Sequence, residues 1–261
     1  MAADSVYEKA LKVFEKQVHE ATQIWYASRT MDEVGLRRKR TIEALNATPL
    51  FWITVRGGLA QYALIALGRV FDQSSPRNMD TILRFTYESR EHVFSKHALA
   101  GRKRVGSDNA DEWLAAFMGR ASAPAIADFK RLSRLVKKYR KIYETQYQAI
   151  RNKTLAHTEI VDDTELAALY AKTNIRDLER LLIFLNKFHK ALWELFYNGR
   201  RPRLRPMRFS SRSLTRTKMA DLRKHAVHED IVSQTRESLA LFTEAVNARN
   251  ERRRVTRVRR R

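Results

Sequence analysis

The stretch IADFKRLSRLVKKYRKIYETQYQAIRNKTLAH, residues 126–157, decides how this chain folds. Ile126, Phe129, Leu132, Leu135, Val136, Tyr139, Ile142, Tyr143 and Ile150 recur at helical spacing and trace one apolar face. Lys130, Arg131, Arg134, Lys137, Lys138, Arg140 and Lys141 fill the positions between them. The spacing predicts a long helix over 126–150, buried on one side and cationic on the other. It runs straight into RNKTLAH, 151–157, which carries Arg151, Asn152 and His157. TEIVDDTE, 158–165, then interrupts the pattern.

The same periodicity extends outward in both directions. Val6, Ala10, Phe14, Val18, Ala21 and Trp25 predict a first helix over about 5–30, with Ser5 and Glu8 at capping-box spacing. LRRKRTIEAL, 36–45, is polar and then apolar. Thr48-Pro49 opens a helix that runs to about Phe71. Its most apolar part, GGLAQYALIALG at 57–68, is too short for a bilayer span and reads as a buried helix. QSSPRN, 73–78, is a turn, 79–98 a helix, and GRKRVGSDN, 101–109, an exposed basic loop. A short helix around Trp113 and a break at ASAP, 121–124, precede the long helix. Asn174 caps a final core helix bearing Ile175, Leu178, Leu182, Leu185, Phe188, Leu192 and Phe196, and Asn198-Gly199 stops it.

At residue 200 the composition changes. Eight Lys or Arg and no acidic residue occupy 200–218, where Pro202 and Pro206 break any helix. A further helix is expected over about 219–250, using Leu222, Val227, Ile231, Leu239, Phe242 and Val246, followed by the basic tail RNERRRVTRVRRR, 249–261. No period-two alternation runs long enough for a sheet. The expected fold is all-α: a helical domain over 1–199, a basic linker over 200–218, and an accessory helix with an Arg-rich tail over 219–261.

The absence of cysteine removes disulfides, thiolate catalysis and the cysteine-based zinc folds. A formal net charge of +22 calls for a polyanionic partner, nucleic acid first. The first residues, MAADSVYEKALKVFEK, are amphipathic and lack the basic start and apolar run of a signal peptide. A cytoplasmic protein without a membrane segment is therefore expected.

Arg151 and His157 bring two chemistries together. A histidine with an ordinary pKa near ~6.5 takes a proton from one oxygen and gives it to another. An arginine grips phosphate and meets developing charge. The pair suits cleavage of RNA by its own 2′-hydroxyl, which needs no metal and which DNA cannot undergo. Spacing alone leaves the matter open. Six steps on a regular helix turn through about 240° and rise about 9 Å. Arg151 and His157 equally suit a solvated helix C-terminus, where both favour the dipole.

RNKTLAH resembles the signature of the HEPN superfamily: an Arg, a polar residue, then a His after four to six intervening residues. Here Asn152 is the polar residue and five residues separate Arg151 from His157. YQAIRNKTLAHTEI, 147–160, is similar to the AbiU2-like HEPN proteins of abortive phage resistance. LIALGRVFD, 64–72, resembles the apolar segment ending in Arg, aliphatic, Phe, Asp of that group, and the order of segments fits over roughly 5–199. The resemblance implies a HEPN-like helical bundle, usually a homodimer, with endoribonuclease activity in many members and only RNA or protein binding in others. It implies Arg151 and His157 as the catalytic pair and Asn152 as an orienting or substrate-contacting residue, without cofactor or metal. An inhibitor or antitoxin protein is a further implied partner. HEPN toxins silenced by a nucleotidyltransferase carry Tyr two residues after the His; here Glu159 stands there, after Thr158, which argues against that control.

Other groups have plainer readings beside their functional ones. His92 and His97 with Glu91, and His225 and His228 with Glu229, lack a complete metal-ligand set. Arg69 and Asp72 form a capping ion pair or support the motif helix by contact with Asn152 or His157. Tyr139, Tyr143 and Tyr147 fit a core or an interface better than base stacking. Lys153, Arg200, Arg201, Arg203, Arg205, Arg208, Arg252, Arg253 and Arg254 are the candidate nucleic-acid contacts, against a solvated and disordered tail.

Overall fold

In the computed structural model, every regular element among the described residues is helical. Those residues are 2–35, 37–105, 107–156, 163–206, 210–222 and 226–258, with side chains described except at 2, 3, 154–156, 163, 166, 253–255, 257 and 258. The elements are α1 Ala2–Gly35, α2 Lys39–Leu45, α3 Pro49–Phe71, α4 Met79–Glu88, α5 Lys96–Arg104, α6 Ala110–Arg120, α7 Ile126–Gln146 and the short α8 Gln148–Ile150. A π-helical turn, Arg151–Ala156, continues from α8. Then come α9 Asp163–Ala171, α10 Ile175–Asn198, α11 Ser211–Arg216, a 3-10 turn Met219–Asp221 and α12 Val227–Val258.

The chain forms two compact units that do not follow the contiguous boundaries at 199 and 218. One comprises Met1–Val18 with Ile65–Arg208, the other His19–Leu64 with Phe209–Arg261. The helices α1 and α3 each contribute to both.

In the first unit α10 presents Leu178, Leu181, Leu182, Leu185, Phe188, Leu192, Leu195 and Phe196 to the core. The buried residues of α7 include Phe129, Leu132, Val136 and Tyr143. Ile126 and Ile175, both expected on these faces, are exposed at first helical positions. Tyr7 is fully buried among Phe94 and Phe196, at 5.0 and 5.2 Å between ring centroids, and its hydroxyl is 2.9 Å from Thr86 Oγ1. Tyr143 of α7 and Tyr147 just after it are buried in the core, and Tyr139 stacks on Phe184 at 3.9 Å.

Local caps explain the boundaries. The Asn174 side chain accepts from Arg176 N, and Gly199 ends α10 at φ 57°, a conformation glycine adopts without a Cβ penalty. Asn78 and Ser95 cap α4 and α5 in the same way. The cap at Ser95 splits the single helix expected over 79–98. Helix α5 continues through 101–104, so half of the expected basic loop is helical, and Arg102 bonds Asp4, Val93 O and Phe196 O. Ser5 lies inside α1 and caps nothing. A short helix, α11, occupies part of the expected linker, and α12 carries the basic tail on as helix to Val258.

Only the second half of the apolar helix α3 is buried, through Ala63, Leu64, Ala66, Leu67, Val70 and Phe71. Leu50, Phe51 and Ile53 are exposed. The whole helix has 23 residues and meets the length and composition of a bilayer-crossing segment, which the shorter stretch 57–68 did not. In the second unit Met31, Val34 and Leu239 form a small core flanked by Leu45, Trp52, Val55 and Leu59.

His228, on α12, sits 6.0 Å from the Tyr26 ring. Burial pushes its imidazole down to about 4, against a weaker upward pull from Asp230. The unfolded chain therefore binds a proton that the folded chain refuses, and stability falls as pH drops from ~6.5 toward 4. His228→Gln should flatten that part of the melting-temperature profile; a variant profile parallel to wild type would assign the acid sensitivity elsewhere.

Candidate active site

Asp72 follows the last residue of α3, at the start of a tight turn. Asn78 organises that turn: its side-chain amide donates to the carbonyls of Asp72, Gln73 and Ser75, and its Oδ1 caps α4 by accepting from Thr81 N at 2.9 Å. Asp72 Oδ1 accepts from Ser74 N at 3.1 Å and Ser74 Oγ at 2.9 Å. Its Oδ2 is left to face Arg151, and Nη1 of Arg151 donates to it at 2.5 Å. Burial alone would raise the Asp72 pKa, but the Ser74 bonds and the Arg151 charge outweigh it and hold the carboxyl below its ordinary value.

Arg151 begins the π-helical turn. The long helix of the sequence pattern breaks at Tyr147, whose hydroxyl donates to Asn174 O at 2.6 Å. The π turn, with its i→i+5 bonding, starts at Arg151 itself; such turns recur at functional sites. Arg151 Nη1 also donates to Asn152 Oδ1 at 3.1 Å. Two acceptors thus share one nitrogen. The arginine side chain is 24% exposed, against 9% for Asp72. This is a cation held through one nitrogen and still partly exposed, and a guanidinium so held can bind a phosphate oxygen.

Gly68 and Tyr143 complete the surroundings. A Cβ at Gly68 would lie 2.9 Å from Arg151 Nε and 3.0 Å from the Tyr143 hydroxyl. The Tyr143 ring stacks on Phe71 at 5.7 Å, and burial pushes its hydroxyl up to about 12 despite the neighbouring guanidinium. Neither residue stood out in the sequence as functional. The one available signal was a glycine inside an otherwise apolar helix, which marks close approach.

The structure brings Asp72, Arg151 and Asn152 together. The contact of Asp72 is with Arg151, not with Asn152. The ion partner of Asp72 is Arg151, and the Arg69 carbonyl accepts from Ser75 Oγ at 2.7 Å. His157 and Arg208 lie outside the described residues, as do the side chains of Arg253 and Arg254.

The basic candidates divide. Lys153 pairs with Glu165 of α9. Arg201 forks onto Asp128, at 2.9 and 3.1 Å, and so holds the chain after α10 against the start of α7, where Asp128 also accepts from Ala125 N. Arg200 pairs with Glu194 at 3.2 Å. Arg203 and Arg205 are exposed beside a pocket of about 440 Å³ that Lys187 and Lys190 also line. These arginines follow the far end of α10. Its 24 residues span about 36 Å from the Tyr147 contact at its start, so 200–205 does not line the Arg151 site. Arg252 is exposed on α12.

Residues 7–217 match the AbiU2 family of HEPN proteins. The chain belongs to this family. The match extends past 199 to take in most of the basic segment, which the motif resemblance had left outside. No curated protein and no solved structure gives a match. Membership in the AbiU2 family supports a toxin-like ribonuclease function in general terms.

Crowding at Gly68 makes a direct test of the site's packing. Gly68→Ala should destabilise the fold by about 1–3 kcal/mol, as overpacking does. Gly57→Ala and Gly58→Ala, on the same helix with open space around both, should be neutral or stabilise by up to ~1 kcal/mol. Urea unfolding of the three variants distinguishes these outcomes; equal effects would mean that Arg151 yields freely.

Proposed function

We propose that the chain is an endoribonuclease that cleaves RNA by metal-independent attack of the 2′-hydroxyl. The observation that carries this reading is the arginine of RNKTLAH, anchored through one nitrogen by Asp72 and Asn152 and still 24% exposed. Family membership supports it. His157 is the proposed base. It takes the 2′-hydroxyl proton, the 2′-oxygen attacks the adjacent phosphorus, and the bond from phosphorus to the 5′-oxygen breaks. The leaving oxygen takes a proton from a second acid. Arg151 meets the charge that builds on the phosphoryl oxygens. The products are a 2′,3′-cyclic phosphate and a 5′-hydroxyl.

One histidine cannot be base and acid in the same displacement. A homodimer with its twofold axis beside the motif supplies the second His157. Asn152 orients Arg151 in this scheme, and Asp72 acts through Arg151 as a positioning residue. The setting is a cytoplasmic anti-phage or toxin role, restrained by an inhibitor protein. Arg203, Arg205, Arg208 and Arg252, with Arg253 and Arg254, contribute backbone affinity and little sequence choice, while Lys153 and Arg200 are held by Glu165 and Glu194.

Single-turnover cleavage at saturating protein, in EDTA, tests the scheme. His157→Ala should lose ~10²–10⁴ in rate while binding RNA normally. Arg151→Ala should lose both rate and affinity, and Arg151→Lys should recover only part, because a point charge does not reproduce the planar fork. A matched 2′-deoxy substrate should remain uncut. Full activity of His157→Ala, or cutting of the deoxy strand, would exclude the mechanism.

A shared site also fixes the oligomeric state. The active species should have twice the chain mass in sedimentation at working concentration. Mixing His157→Ala chains in excess with wild type should depress activity more than dilution does. A fully active monomer would remove the shared site and leave the acid to be found within one chain.

A further inference from the structure

We infer that the groove between α4 and α7 is the track along which single-stranded RNA enters the Arg151 site. The inference rests on the endoribonuclease reading and names where its substrate lies. The groove is a cavity of about 920 Å³, lined by Arg84, Lys130, Arg134 and Arg140 against one carboxylate, Asp80.

The charges that line it are not equivalent. Arg140 is committed: it pairs with Asp80 and lies 3.5 Å from Glu144. Arg84 is 71% exposed and only 4.0 Å from Glu88, an exposed pair of little strength. Among the described residues Lys130 and Arg134 have no carboxylate partner, and both are exposed. They stand one helical turn apart on α7 and face the same groove. The groove's one acid is thus neutralised from within, and its unpaired charge is positive.

Position ties this charge to the site. Gln73 lines one end of the groove and directly follows Asp72, the anchor of Arg151; its side-chain amide donates to Glu144 at 3.4 Å. Lys130 and Phe129 line the other end, next in sequence to the Asp128 that holds Arg201. From Arg140 back to Lys130 is about 15 Å along α7 by the standard rise. The groove therefore leads from the catalytic arginine toward the exposed Arg203 and Arg205. A strand lying in it meets cations along its whole length.

Tyr87 makes the case for a single strand. The residue is 37% exposed at the groove wall, with Arg90 over one face of its ring at 4.5 Å and Phe129 edge-to-face with it at 5.3 Å. An accessible aromatic beside backbone cations is the combination that binds unpaired bases, whose faces a duplex hides.

The test uses the full chain carrying His157→Ala, so that RNA stays intact, and a labelled ten-nucleotide RNA read by fluorescence anisotropy. Lys130→Gln/Arg134→Gln should weaken binding about tenfold or more and lower the salt slope by roughly 1.4, at ~0.7 for each phosphate contact of a single strand. Tyr87→Ala should weaken it at least ~fivefold, and the difference should vanish on an abasic strand. Lys137→Gln/Lys138→Gln removes the same charge from exposed positions of α7 outside the groove and should change binding by less than threefold. Matching melting temperatures certify the folds.

Equal losses from the two double variants would overturn the track, because only net charge would then matter. If polyglutamate displaced the RNA and bound more tightly through Lys130 and Arg134, the groove would hold an acidic polypeptide instead. The two readings fail separately. Groove variants that cut and bind like the parent, in a chain whose cleavage needs His157, sink the track and keep the nuclease. Groove-dependent binding in a wild-type chain that never cuts does the reverse.

Discussion

The Arg151–Asp72 pair is the constraint on which the site depends. It joins the end of α3 to the π turn that follows α8, two segments 79 residues apart in sequence. Pairing a partly buried arginine with a buried carboxylate gives little net stability, since both charges lose water. What it gives is orientation. Every further contact serves that: Ser74 fills one oxygen of Asp72, Asn78 fixes the turn beneath it, and Gly68 clears the space the arginine crosses. Removing either charge alone would leave the other buried and uncompensated, so the two residues are functionally one unit.

The second organising feature is the lengthwise pairing of α7 with α10. Tyr147 and Gln146, at the end of α7, touch Asn174 and Asp177 at the start of α10. Asp128, at the start of α7, holds Arg201 just past the end of α10. The two helices therefore run in opposite directions, and each end of the pair is locked by a polar contact. One end carries the Arg151–Asp72 pair, and the other carries Arg203 and Arg205, which have no carboxylate partner among the described residues.

What was legible in the sequence was what local chemistry decides. Pro49, Asn174 and Gly199 each act through the few backbone groups around them, and α3 and α10 begin or end where they stand. The Arg151, Asn152 and His157 signature was visible through family resemblance rather than spacing, as was Asp72 at the end of a second matching segment. Their mutual contact was not, because an ion pair across 79 residues leaves no periodic trace. The distortion at Tyr147, where φ is −122° while the i→i−4 bonds on either side persist, was hidden for the same reason, since its hydroxyl contact to Asn174 is a tertiary event. Basic runs misled in the other direction. Charge reads as loop or tail, yet Arg and Lys are good helix formers, and α5 and α12 pass through such runs without interruption. The two compact units were illegible because α1 and α3 belong to both, and composition sees only contiguous stretches.

The net charge of +22 is therefore a poor count of what can bind RNA. Arg102, Arg140 and Arg201 spend their charge on Asp4, Asp80 and Asp128 and hold the first unit together. Each is fixed by a planar donor set that matches a carboxylate or a backbone carbonyl, which lysine would serve less well. Lys130, Arg134, Arg203 and Arg205 have no such partner among the described residues, and only charges of that kind release counterions from a nucleic acid when they bind it. The fold has in effect sorted its cations. Those facing acids inside the unit became structure, and those left along α7 and after α10 became surface potential. The arginine of the motif stands between the two classes: Asp72 holds it through one nitrogen, and about a quarter of its side chain stays exposed to meet an anion.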